Sequence, residues 1–114
     1  MEIVFDHIGI NHENEEHAHK DADILENAFG MSRRQGHGYV FMDKTVELRE
    51  SKFYGECGHI AFSVIDVEQA LEQLKEKEIT PIEASIVKNA DGKIVSVYLD
   101  VDINGFAIHL VKRR

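Results

Sequence analysis

Tryptophan is absent from this sequence, and cysteine and proline occur once each, at Cys57 and Pro81. A lone cysteine cannot close an intramolecular disulfide, so the core must hold the fold, and a reducing, cytoplasmic setting is expected. There is no low-complexity stretch and no Pro/Gly-rich linker, which excludes a disordered or beaded chain. No apolar run approaches the roughly 20 residues of a membrane-spanning helix. Met1 leads straight into the strand-like EIVFDHIGI without a basic region before it, so no secretory signal is expected. Positive charge is also scarce: 13 Lys and Arg stand against 21 Asp and Glu, a net charge of −8. That balance argues against nucleic acid or anionic membrane as the main partner. The basic KRR at Lys112–Arg114 is too short to reverse it.

What is present suffices for one soluble domain: 114 residues, 43% hydrophobic and 30% charged. FDHIGI (Phe5–Ile10) and CGHIAF (Cys57–Phe62) are nearly the same strand, written twice with a histidine at the same place. The first half opens with the alternating, β-branched EIVFDHIGI. Ala18, Ala22, Leu25 and Phe29 then form one stripe of an amphipathic helix from Glu15 to Phe29. Asn14 can cap its start, Glu15 and Glu16 suit its first turn, and Gly30 can end it. Extended pieces follow around Met31–Arg34, at HGYVFM and at TVELRE, with a tight turn at Asp43-Lys44.

The second half repeats this order. CGHIAFSV reads as a strand, and Asp66 with Gln69 reads as a capping box. Val67, Ala70, Leu71 and Leu74 form the buried stripe of a second helix. Strands are expected around Ile82–Lys88, at KIVSVYLDV and at FAIHLVK, with Pro81 at the entry to the first of them. Asn89–Gly92 and Asn104-Gly105 are hairpin signals. Each half therefore reads strand, helix, strand, strand, strand. The spacing between copies is 52 at the first strand and 62 at the last, because the second half has the longer middle hairpin.

Strand side chains alternate between faces. Ile8 and Ile10 point one way, His7 the other; Ile60 and Phe62 point one way, His59 the other. Val46 and Leu48 flank Glu47, and Ile108 and Leu110 flank His109, in the same manner. The apolar face belongs under a helix. If the other faces share one concavity, His7, Glu47, His59 and His109 converge, and three imidazoles with one carboxylate suit a divalent transition metal.

These residues carry a resemblance over Ile3–Val111 to the vicinal oxygen chelate superfamily, the glyoxalase / bleomycin resistance / dioxygenase family. The resemblance implies an α+β fold of two βαβββ modules, residues 1–54 and 55–114, forming a curved eight-stranded cup. It implies metal ligands at His7, Glu47, His59 and His109, holding Ni, Zn, Mn, Co or Fe. Relatives usually carry Glu where this sequence has His109, which leaves Glu47 as the one carboxylate able to act as base. HIGIN, GHIA and NGFAIHLV are more closely similar to glyoxalase-like domains attached to some bacterial 2-keto-3-deoxy-6-phosphogluconate / 4-hydroxy-2-oxoglutarate aldolases. Aldol chemistry in those proteins belongs to a separate barrel with a Schiff-base lysine, and no such barrel fits in these residues.

The implied function is a metal-dependent lyase or isomerase that stabilises the enediolate of a small 2-oxo or 2-hydroxy carbonyl substrate. The alternative is a non-catalytic domain that binds a small molecule or regulates a partner. A homodimer is expected on the same resemblance. Tyr39, Arg49 and Tyr98 are candidate substrate contacts, suited to a carboxylate or phosphate. The bland reading of Glu47 is an edge-strand charge paired with Arg49. HENEEHAHK, with His12, His17 and His19, reads as a loop and a solvated helix start rather than a metal tract. His37 falls in a glycine-flanked turn, Arg33 and Arg34 are expected to be solvent-exposed, and Cys57 reads as a small buried residue.

Overall fold

The computed structural model describes residues 1–114. Its elements are β1 (Val4–Ile10), α1 (Glu15–Phe29), β2 (Arg33–Gln35), β3 (Tyr39–Met42), β4 (Val46–Arg49), β5 (Gly58–Val64), α2 (Val67–Lys75), β6 (Val87–Lys88), β7 (Ile94–Ile103) and β8 (Phe106–Lys112). All eight strands join one mixed, curved sheet in the order β2-β3-β4-β1-β5-β8-β7-β6. With the second-half strands numbered as copies of the first, that order reads the same from either end. β1 runs parallel to β4, β5 runs parallel to β8, and β1 meets β5 antiparallel at the centre. The fold is α+β, with both helices on the face opposite the histidines. No helix is long and apolar enough to cross a membrane.

Local chemistry sets the helix ends. Asn14 accepts a hydrogen bond from the His17 amide and Asp66 accepts one from the Gln69 amide, each satisfying a donor the helix cannot. Such a cap is worth about 1 kcal/mol. Gly30 stands at φ 72°, in the left-handed region that ends a helix without Cβ strain.

Each helix covers its own apolar cluster. α1 lays Ala18 and Ala22 on Val40, Met42 and Leu48. α2 lays Val67 and Ala70 on Val64, Val97, Leu99 and Leu110. Each large side chain buried there contributes about 1.5–3 kcal/mol. Small alanines on both helices let the backbones approach the sheet closely.

Four expectations need correction. Arg33 is half-buried and pairs with Asp23 and Glu26 on α1, while Arg34 is exposed as expected. Phe29 ends the α1 stripe in sequence but is 73% exposed, one turn past Leu25 and outside the cluster. The segment Ile82–Lys88 is mostly not strand: a 3-10 turn occupies Glu83–Ser85, and only Val87–Lys88 pairs with β7. Pro81 nonetheless makes a single bridge to Leu99. Cys57 is exposed, not buried. Cys57 precedes β5, which begins at Gly58, so strand alternation does not fix its side chain.

Candidate metal centre

The four central strands, β4, β1, β5 and β8, each supply one of the four polar residues. Register explains how they fit. Glu47 on β4 lies beside Gly9 on β1, which lies beside His59 on β5, which lies beside Ala107 on β8. In the next row His7 lies beside Ala61, and Ala61 beside His109. Large polar residues thus alternate with glycine or alanine, and each small residue leaves room for a neighbouring ring. At Gly9 the fit is tight: a Cβ there would overlap the imidazole of His59. A bulge between Phe5 and His7 adds Asp6 to β1 and re-aims the strand at this point.

The result is a buried polar cluster. His7 Nε2 and His59 Nε2 are 3.3 Å apart. Glu47 Oε1 lies 3.3 Å from His7 Nε2 and 3.1 Å from His59 Nε2. His7, His59 and His109 each bring a ring nitrogen within 4.8 Å of the others. His59 is 1% exposed, while His7 and Glu47 are each 7% exposed. β4 is an interior strand, so Glu47 is not an edge charge, although its other oxygen does meet Arg49 Nη1 at 3.4 Å.

The electrostatics follow from this packing. Burial opposes charge on Glu47, but hydrogen bonds and charge from His59 and His7 outweigh it and hold the carboxyl well below its ordinary range. Burial also pulls His7 down, yet Glu47 and Asp6 more than compensate and leave it raised. Asp6 Oδ2 sits 2.6 Å from His7 Nδ1, the carboxylate–imidazole pairing that orients a ligating histidine. His109 has less carboxylate help. Burial, then the nearby imidazoles of His59 and His7, drop it to about 3.

The donors fit a divalent cation. Two imidazole lone pairs at 3.3 Å repel unless a proton or a cation lies between them. Metal–ligand bonds of about 2.0–2.1 Å in a tetrahedron put neighbouring donors roughly 3.3 Å apart, the spacing seen here. His109 Nδ1 is buried without a hydrogen-bond partner, while Nε2 is 2.6 Å from Ser96 Oγ. With Nε2–H donating to Ser96, the Nδ1 lone pair is free for a cation.

Beside the cluster lies a cavity of about 360 Å³ with Glu47 and His109 in its wall. Arg49 and Tyr98 line it; Tyr39 does not. Tyr39 shares the cluster's face but packs on Phe41 and against Gly36. Burial, then the charge of Glu47, keeps the Tyr98 hydroxyl protonated. Its ring stacks on His109 at 4.1 Å and under Tyr54 at 4.3 Å.

The sequence did not point to Phe53, Tyr54, Ser85 and Ser96, which also line the cavity. Phe53 and Tyr54 sit in the β4–β5 connection, where no periodicity marks them. Asp6, directly before His7, is the one missed residue with a readable signal. His12 is buried rather than loose: Nδ1 meets the Arg49 carbonyl at 3.0 Å and Nε2 meets Asp21 at 2.7 Å. His19 is likewise engaged, 2.6 Å from Glu50.

No protein-family model matches the sequence, and no curated protein matches it. Solved structures do match. A hypothetical protein from Bacillus halodurans C-125 superposes with TM-score 0.68 at 18% identity, over 100% of this chain and 96% of that one. A glyoxalase/bleomycin resistance protein/dioxygenase superfamily member from Vibrio splendidus 12B01 superposes with TM-score 0.54 at 14% identity, over 97% of each chain. This chain has the glyoxalase fold. Streptomyces coelicolor methylmalonyl-CoA epimerase, in complex with 2-nitronate-propionyl-CoA, shares it with TM-score 0.63 at 16% identity, over 97% of this chain and 95% of that one. Across glyoxalase-fold chains so distant in sequence, the likeness is one of backbone.

Proposed function

We propose that this glyoxalase-fold chain is a metal-dependent lyase or isomerase of the vicinal oxygen chelate kind. Its substrate is a small 2-oxo or 2-hydroxy carbonyl compound. The observation that carries this reading is the 3.1–3.3 Å triangle of His7, Glu47 and His59 with His109 beside it. His7, His59, His109 and Glu47 would hold Ni, Zn, Mn, Co or Fe. Such a cation supplies Lewis-acid polarisation of substrate oxygens and offsets the charge of a developing enediolate.

The protein's own groups do the rest. Glu47 is ionised at neutral pH, so it is ready to accept a proton from carbon. The same hydrogen bonds that keep it ionised make it a weak base, which restricts it to carbon acids already activated by an adjacent carbonyl. Arg49 holds the substrate's anionic end, and Tyr98, kept neutral, can donate a hydrogen bond. Tyr39 is placed to shape the face around Phe41 rather than to touch substrate. No lysine lines the cavity, so a Schiff-base aldolase mechanism has no support here. An epimerase on the same fold supports proton transfer next to a carbonyl as the class of chemistry.

The alternative of a purely binding domain favours a wide, apolar cup, whereas this one is floored by a buried polar cluster. A homodimer remains part of the proposal; exposed Ile3, just before β1, and Phe5, on it, offer apolar surface for it. The test is a screen of 2-oxo acids and 2-ketoaldehydes with metal-supplemented protein, comparing wild type with Glu47→Gln. Loss of one general base lowers turnover by about 10²–10⁴-fold. Turnover unchanged by Glu47→Gln would rule out its role.

A further inference from the structure

The cavity wall also specifies what kind of molecule fits. Arg49 sits two residues after Glu47 on β4, and its guanidinium carbon lies 4.7 Å from the ring centroid of Phe53. A guanidinium lying over a ring keeps its N–H donors in its own plane and free for a ligand. Arg49 has donors to spare: its one ion pair is the 3.4 Å contact from Nη1 to Glu47, which leaves Nη2 uncommitted. A planar cation in this state suits a carboxylate, which accepts two parallel hydrogen bonds.

Around it the walls are flat or apolar: Phe53, Tyr54, Tyr98, Ile86 and Val87. The cavity, about 360 Å³ and open on one side, suits a molecule at the small end of the range for ligand sites. A coenzyme A thioester adds several phosphate charges, and a chain of net charge −8 with no lysine in the cavity is poorly placed to receive them.

We infer that the cavity takes a small free carboxylic acid with a flat apolar body: its carboxylate on Arg49, its body against Phe53 and Tyr54. This rests on the proposed metal site only in that the carbonyl end of the acid faces Glu47 and His109.

Calorimetric titration of the nickel-loaded protein tests the assignment with four probes: benzoylformate, its uncharged methyl ester, pyruvate and propionyl-CoA. Benzoylformate is expected to bind about tenfold or more tighter than each of the others, the ester lacking the charge and pyruvate the flat body. Arg49→Gln should remove the preference for acid over ester, and Arg49→Lys should restore part of it. Phe53→Ala should weaken benzoylformate more than pyruvate. Equal binding of acid and ester, an Arg49→Gln protein that still prefers the acid, or tighter binding of propionyl-CoA would overturn the inference.

Repeating the titrations after chelation separates the two proposals. Acid selectivity that depends on Arg49 in a chain that takes up no nickel sinks the metal reading and leaves this one standing. Nickel uptake without acid selectivity does the reverse.

Discussion

At the scale of the residue, one hydrogen atom decides how the centre is built. Gly9 faces the ring of His59 so closely that alanine cannot be inserted without displacing it. His59 is itself buried and has nowhere to go. Gly9→Ala is therefore expected to cost about 1–3 kcal/mol of stability and at least about tenfold in nickel affinity. Chemical denaturation and calorimetry check the two effects, and an unchanged nickel affinity would refute the packing account. The titrating residues give a second prediction, for the chelated chain. Unfolded, His7 and His109 both start from 6.5. The folded chain refuses a proton at His109 until about 3, so stability falls as pH drops from 6.5 through that window. The slope is at most ~1.4 kcal/mol per pH unit. His7 acts oppositely: its contribution is complete below 6.5 and is lost as pH rises through its raised value. Thermal unfolding of metal-free protein should thus be most favourable to the fold near pH ~6.5, and His109→Gln should flatten the acid side.

At the scale of the element, the β4–β5 connection is held at both ends by one dipeptide. His12 bonds the Arg49 carbonyl where the loop begins. Asn11 bonds the Gly55 carbonyl through its side chain and the Cys57 carbonyl through its amide where the loop ends. Between these points Phe53 and Tyr54 wall the cavity. His12→Ala should accelerate amide hydrogen exchange across 50–57 while nickel affinity changes by less than about threefold. Exchange unaltered in that loop would contradict the clamp. His12 looks like a loop histidine because its partners, Arg49 and Asp21, are fixed only by the tertiary fold. Phe53 and Tyr54 are invisible for the same reason. The helices were legible because their caps, Asn14 and Asp66, act on amides three residues away. The site strands were legible because alternation alone tells which face His7, Glu47, His59 and His109 take. Phe29 misleads because helical periodicity continues past the strands that α1 covers.

At the scale of the whole molecule, repetition builds the candidate site. Each half folds its own helix over its own apolar cluster, and neither half alone has the proposed cation-binding set: His7 and Glu47 come from the first, His59 and His109 from the second. The antiparallel contact of β1 with β5 brings them together. A cation bound there would tie the two halves across their seam and should raise the stability of the entire chain rather than of one half. The most direct measurement is titration of nickel into untagged, chelator-stripped protein, with His59→Ala alongside. Saturable uptake of a single ion per chain, lost in His59→Ala, is the predicted result. Absence of saturable uptake, or uptake indifferent to His59→Ala, would contradict a metal centre shared by the two halves.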